Sequence, residues 1–456
     1  IYEQFGSGMA LRAYEDRGLG YDNMLDGIRA IVRPYKGVVL KGVYGKQRYA
    51  FLEGRIVHSD GIVRGLDGEI SLNEMFTKLA DKKLGVTIGG SFVSKFQRDD
   101  NEALILPENV GCYGARAKLR YGKFVFDAEY LVKGQDPSQD NGYNYNPGHA
   151  AIANLGYSQK GLGILLSAKS VDNMSYRSDR TKQLQNVLIN YLPSLNKTHT
   201  YNLVASLYPY ATQPIGEIAY QAEVMYTIKK GSKLGGKYGT SINGNFSTAY
   251  RPMRHTSTID PMDSTGVTYR SGPFDMSDSL YWRDINFTIS RKFSKKFNLI
   301  VSYFNIVLNN DVATVTKEKG LIKSNIFVVE FGNKFKNSSS LRTELQVLFV
   351  NRRDSLGNET NFSSGTPVDK GDWATAIIEY TINSNWFVSV MNQYNFGNPD
   401  KDHRAHHPYA TIGYIREATR ITASYGRQRA GLFCVGGVCR PVPASNGFTL
   451  SVTQSF

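Results

Sequence analysis

The sequence predicts an all-β fold: a single transmembrane antiparallel β-barrel of about 22 strands, roughly 18 to 22, with long extracellular loops and short periplasmic turns. Three observations carry this. Extended segments alternate apolar and polar residues with a period of two. No run of about 20 apolar residues occurs, so helical membrane spans are excluded. Connections between the segments alternate short and long. The 456 residues hold no linker, repeat or low-complexity tract and read as one domain, 1–456. Tyr (29), Phe (23) and Gly (44) are abundant while mean hydropathy is only −0.34. Strands with one lipid face and one wet face give that average.

The alternation assigns faces strand by strand. Phe124, Phe126, Ala128 and Tyr130 oppose Val125, Asp127 and Glu129. Ile218, Tyr220, Ala222, Val224, Tyr226 and Ile228 oppose Glu217, Ala219, Gln221, Glu223, Met225 and Thr227. Leu345, Val347 and Phe349 oppose Arg342, Glu344 and Gln346; Ala376, Ile378 and Tyr380 oppose Ile377, Glu379 and Thr381. Ile421, Ala423 and Tyr425 oppose Arg420, Thr422 and Ser424. The expected lipid-facing set is therefore Ile218, Tyr220, Val224, Tyr226, Leu345, Val347 and Phe349, with Phe448, Leu450, Val452 and Phe456 from the last strand. The expected lumen-facing polar set is Glu217, Gln221, Glu223, Arg342, Glu344, Gln346, Glu379 and Arg420.

Taking the last strand, Ser445 to Phe456, as running inward, the connections can be read backwards. Ala430–Ala444 is long and the turn at Glu417 short; Gly397–Ala405 is long and Asn383–Ser384 short. Asn351–Asp369, Asn309–Gly320 and Arg251–Asp278 are long; Lys336–Ser339, Ser294–Lys296 and Lys229–Lys233 are short. Upstream, Pro209–Pro214 would be external and Ser194–Thr198 a periplasmic turn, which requires a strand at Val187–Tyr191, although Gln183–Leu192 also reads as a short helix. An even strand number is expected when both termini lie in the periplasm.

The chain ends GFTLSVTQSF, Gly447 to Phe456. This resembles the C-terminal strand signal of outer-membrane barrels, alternating apolar residues closing on an aromatic; Gln454 departs from it. The segments GLGILLSAKSVDNMSYRSDR (161–180), LYPYATQPIGE (207–217), LGGKYG (234–239) and YGRQRAGLFCVGGVCRPVP (425–443) are similar to an uncharacterised family of Bacteroidota outer-membrane proteins. The resemblance implies location in a Gram-negative outer membrane and a barrel fold, and brings no activity with it.

Cys434 and Cys439 bracket a Val-Gly-Gly-Val turn, a spacing that permits a disulfide and so implies an oxidising compartment. Cys112 reads as a small strand residue. The net charge of +14 gathers into no stripe or helix, so nucleic acid is not expected as a partner; anionic lipid phosphates or a mildly anion-attracting lumen account for it. No signal peptide is visible at Ile1, and the sequence is taken as a mature or trimmed chain.

Candidate chemistry is sparse. His403, His406 and His407, near Asp400 and Asp402, are weak metal candidates, since imidazole and carboxylate together suit a divalent ion but a solvated loop has the same composition. His58-Ser59-Asp60 holds the residue types of a hydrolase, yet adjacent strand residues point to opposite faces, so no enzyme activity and no cofactor is expected. Asp172, Asn173, Arg177, Ser178, Asp179 and Arg180 could fold inward and constrict a pore, or remain a solvated turn. Leu207 to Tyr210 reads as an aromatic girdle and loop anchor.

The first expectation for function is a porin-like solute channel with loops, Arg251–Asp278 among them, constricting the lumen. The alternative is a non-conducting subunit of a larger outer-membrane complex for export, assembly or display of surface proteins. Expected partners are outer-membrane lipids and lipopolysaccharide, and other outer-membrane proteins or surface lipoproteins.

Overall fold

A computed structural model of the chain describes residues 1–16, 21–49, 56–80, 83–183, 186–207, 210–256, 266–309, 311, 321–335, 338–353, 371–429, 431–435 and 438–454. Alternating segments become strands because each meets two different environments, one on each side. The first eight are β1 (Leu25–Tyr35), β2 (Val38–Arg48), β3 (His58–Ser71), β4 (Leu84–Phe96), β5 (Asn109–Tyr121), β6 (Phe124–Lys133), β7 (Gly148–Gln159) and β8 (Leu162–Asp172). Next come β9 (Gly216–Ile228), β10 (Thr240–Pro252), β11 (Met276–Lys292), β12 (Phe297–Asn309), β13 (Leu321–Lys334) and β14 (Ser340–Arg353). The last five are β15 (Trp373–Thr381), β16 (Trp386–Tyr394), β17 (His406–Arg416), β18 (Thr419–Gln428) and β19 (Ser445–Gln454).

The nineteen strands form one closed barrel in chain order. Paired ladders among the described residues join eighteen chain neighbours, all antiparallel, from β1–β2 to β18–β19. At the closing junction β1 lies beside β19. An odd count makes these two run in the same direction.

The count of 19 lies inside the expected range but below its centre, and it is odd rather than even. Val187–Tyr191 is not a strand, and no strand forms between Thr198 and Leu207. The stretch from Asn173 to Ile215 connects β8 directly to β9, which pair along Leu162–Asp172 and Gly216–Tyr226. Residues 1–16 and 21–24 also stay out of the barrel wall. They lie inside it, so β1 starts from the lumen, and even parity is no longer required.

The outward face carries the predicted apolar residues. Val224 (42%), Leu345 (47%), Phe349 (46%), Phe448 (69%), Leu450 (61%) and Val452 (63%) stay open to the surroundings. Side chains of this size each lose roughly 1.5–3 kcal/mol when left in water, so a continuous band of them calls for hydrocarbon around it. A closed barrel satisfies its backbone internally, which is what such surroundings demand. Phe456 lies outside the described residues. Ile218 differs from expectation: it shares the outward parity of Val224 but is fully buried. The β10–β11 connection covers the wall there. Arg254 donates to Asp172 at 2.7 Å, the Phe274 amide donates to the Ser170 hydroxyl at 3.1 Å, and the Phe274 ring lies 6.4 Å from that of Tyr220. The described part of Arg251–Asp278 thus packs outside the barrel at these contacts instead of occluding the lumen.

Candidate functional site

The distinctive site is the lumen, filled from one end by the protein's own chain. The first filling element is the leading segment. Glu3–Phe5 pairs with Leu11–Ala13 in a small hairpin. Gly6 turns it at φ 53°, a conformation that L side chains rarely adopt, and a Cβ there would stand 2.5 Å from the Glu129 carboxylate and push it aside. That carboxylate, on β6, accepts from the Ser7 amide at 2.8 Å. Phe5 is fully buried against Gly65 of β3, where an added Cβ would stand 2.7 Å from the ring. Lys41 of β2 reaches Glu3 at 2.8 Å.

The second element is the β8–β9 connection, which crosses the lumen. Its buried Tyr176 donates to the carbonyls of Val110 (2.8 Å) and Val93 (3.2 Å). Arg12 of the leading segment donates its amide to the Ile189 carbonyl at 2.8 Å, and the Tyr191 amide donates to Gly8 at 2.9 Å. Further along, His199 lies 2.7 Å from Asp284 on β11. The short helix Asn202–Leu207 then meets the far wall, where the Leu203 amide donates to the Gln346 side chain at 3.0 Å on β14. The strand Gly431–Val435, paired with Val438–Val442, lies against this helix.

Together these elements give the barrel an interior core. Val43, Val63, Val93, Leu131, Ile152, Val171, Trp282, Phe304, Ile322, Leu348 and Trp373, all pointing inward, pack with Phe5, Met9, Leu11, Met174, Tyr176, Ile189, Leu203 and Val204. From β2 to β18 most inward side chains of the long-loop half are buried, whereas many of those in the short-turn half remain partly accessible, Asp67 and Phe387 being buried exceptions. The molecule is a cup: packed at the long-loop end, open at the other.

Inward-pointing lysines are paired beneath the filling. Lys169 lies 2.7 Å from Glu217, both shielded, and donates to the Pro193 carbonyl (2.7 Å) and Thr212 hydroxyl (2.8 Å). Lys95 and Lys133 share Asp136, at 2.6 and 3.5 Å. Breaking such a pair leaves a buried charge uncompensated, and the bonds from Lys169 to the Pro193 carbonyl and from Lys133 to the Ser175 carbonyl tie these pairs to the β8–β9 connection.

Arg177, Asp179 and Arg180 are buried and belong to the packing. Arg177 reaches Asp140 at 3.1 Å, and Arg180 donates to the carbonyls of Gln97 (3.1 Å) and Pro107 (3.0 Å). Asp179 accepts from the Tyr49 hydroxyl at 2.6 Å. Burial alone would raise the Asp179 pKa, but the bonds from Tyr49 and from the Thr181 amide and hydroxyl hold it below the usual carboxylate range. Burial first, and Asp179 second, push the Tyr49 hydroxyl well above its ordinary value. Tyr210 is no girdle residue: its hydroxyl donates to Glu217 at 2.5 Å and its ring stacks on Trp282 at 5.3 Å. Its neighbours Tyr208 and Pro209 lie outside the described residues.

The expected lumenal polar residues share the inward parity. Arg342 bonds Glu330 (3.0 Å), Glu379 (2.9 Å) and Glu344. Gln221 bonds Asn245 at 3.0 Å, Glu223 pairs with Lys197 at 3.1 Å, and the Arg420 guanidinium lies 5.1 Å over the Phe387 ring. The three candidate histidines do not converge. His403 bonds Asp400, His406 stacks on Tyr394 on the outer face, and His407 points inward near Trp373. Among the described residues no group of three metal-ligating side chains occurs. His58 bonds Asp26 and Ser59 bonds Ser178, on opposite faces of β3. The backbone pairs Cys434 with Cys439, while their side chains lie outside the described residues.

Sequence reasoning missed the leading segment and the vestibule beneath it. This cavity of about 920 Å³ is lined by Ser7, Glu69, Arg116, Lys118, Arg120, Asp127 and Glu129, among others, and opens toward the short turns. Arg116 is held by Asp67 at 2.7 Å and Glu69 at 3.2 Å.

No curated protein matches the chain. Among solved structures it is similar in outline to OccAB4 of Acinetobacter baumannii (11% identity, 86% of this chain and 91% of that chain, TM-score 0.34). The outer membrane protein OpdK of Pseudomonas aeruginosa gives 13%, 86%, 92% and 0.35, and the copper transporter OprC 10%, 92%, 69% and 0.41. Over residues 1–456 the chain matches the family of unknown function DUF6029, and it belongs to that family.

Proposed function

We propose that the protein is an outer-membrane barrel closed on its outward side by its own chain, acting as a non-conducting, membrane-anchored subunit of a larger surface assembly. The observation that carries this is the core inside the long-loop half. A water-filled pore has a polar lumen; here Phe304, Ile306, Leu308, Ile326 and Leu348 point inward and are buried beneath the filling segments. The outward apolar band supports the membrane location, and the long loops support assigning their end to the cell exterior. The opposed backbone positions of Cys434 and Cys439 support a disulfide, and with it an oxidising compartment. Purification from native membranes in mild detergent tests the subunit reading. A defined complex is expected; a lone monomer at native expression contradicts it.

A second reading, a gated solute channel, is favoured by one feature. The inward residues Gly27, Arg29 and Ile31 of β1 are exposed, and Gly447, Thr449 and Ser451 of β19 are partly accessible, beside the closing junction. A passage there would require the filling segments to shift. Conductance separates the two readings.

A further inference from the structure

The two ends of the barrel carry opposite charge. The nine short connections hold thirteen lysines against three acids, whereas the nine long loops hold fifteen lysines and arginines against nineteen acids. These lysines are spread over seven of the nine turns, and closing the barrel gathers them onto one rim. The densest part lies on the neighbouring β9–β10 and β11–β12 turns, with Lys229, Lys230, Lys233, Lys237, Lys295 and Lys296. All six are exposed, neither turn contains an acid, and among the described residues none of the six forms an ion pair.

Aromatic pairs fix the depth of this rim. Phe293 lies 5.8 Å from Phe297, Phe124 lies 4.8 Å from Tyr157, and Trp386 lies 4.9 Å from Tyr414, each at the short-turn ends of strands. Lys237 and Lys292 lie 6.0 and 5.6 Å from the Tyr238 ring centre. Aromatic belts sit at the headgroup level of a bilayer. Lysines within a few residues beyond the belt therefore stand at the level of lipid phosphates, where basic clusters bind anionic headgroups.

We propose that this rim is a docking surface for anionic phospholipids of the leaflet it faces, with the two lysine-rich turns as its main headgroup site. The proposal rests on the membrane reading above. An acidic protein would also complement the charge, but the belt places the lysines among headgroups.

The full-length protein in neutral detergent provides the test, by thermal unfolding during titration with phosphatidylglycerol, phosphatidylcholine or inorganic phosphate. Phosphatidylglycerol is expected to raise the midpoint by several degrees, reduced by salt, and the other two to leave it nearly unchanged. Replacing the six lysines by glutamine removes the response. Lys295→Gln with Lys296→Gln alone reduces it if the larger variant fails to refold. Arg270→Gln with Lys401→Gln, at the other rim, leaves the response intact. An unchanged phosphatidylglycerol response in the lysine variants overturns the proposal, as does equal stabilisation by phosphatidylcholine or phosphate. So does capture of an acidic protein that follows the six lysines while the lipid response does not. A chain that stays dispersed without detergent and responds to neither lipid overturns the membrane reading itself.

Discussion

Lys169 Nζ lies 2.7 Å from the Glu217 carboxylate across β8 and β9, with both side chains shielded from solvent. Four partners, all from the β8–β9 connection, converge there: the Pro193 carbonyl, the Thr212 and Tyr210 hydroxyls, and the Gln213 amide. Lys169→Met strands the carboxylate and is expected to cost about 3–5 kcal/mol, and Lys169→Met with Glu217→Leu less than the sum of the single changes. Denaturant unfolding of the refolded barrel measures this. A single-variant loss below about 1 kcal/mol would mean that water reaches the pair.

Gly6→Val adds a side chain at positive φ and drives it into the Glu129 carboxylate. The backbone term alone is about 1–2 kcal/mol. The leading hairpin is expected to undock while the barrel persists, so limited proteolysis cuts within residues 1–24 in the variant only. Equal protection in both proteins refutes the docking.

The Tyr49–Asp179 contact gives a pH dependence of definite sign. Asp179 has a folded pKa below its unfolded one, so its contribution is complete above the ordinary carboxylate range and is lost as pH falls through the lowered value. Protection from hydrogen exchange around residues 177–183 should therefore fall as pH drops below the ordinary carboxylate range, about pH 4. Asp179→Asn is expected to show raised exchange at neutral pH and a flatter profile. A wild-type loss of protection confined to alkaline pH would reverse the assignment.

Cys434 and Cys439 face each other in the ladder joining Gly431–Val435 to Val438–Val442. Non-reducing mass mapping is expected to find them joined and Cys112, which is buried, as a free thiol. Alkylation of both loop cysteines without reductant would remove the compartment argument.

The barrel wall was legible because its chemistry repeats: from Glu217 to Ile228 every second residue meets a different environment. The filling was not. Val187–Tyr191 alternates over five residues, too short to distinguish a strand from any segment with one buried side. Val187 adopts φ 43°, and its carbonyl accepts from the Ser178 amide instead of a neighbouring strand. Two strands expected between β8 and β9 dropped out together, so the short–long rhythm of the connections stayed intact and gave no warning. An inward position for Arg177 to Arg180 was one of two readings the sequence left open, and their partners Gln97, Pro107 and Asp140, which come from other loops, were not legible. Nor could the sequence show that His406 and His407 diverge without fixing β17's parity.

The most direct test is the conductance of the purified full-length protein in a planar bilayer. An interior packed around Phe5, Tyr176, Phe304 and Leu348 predicts no sustained current, with conductance appearing only in variants that undock both the leading segment and the β8–β9 connection. Steady, stable openings in the unmodified protein would contradict the closed lumen.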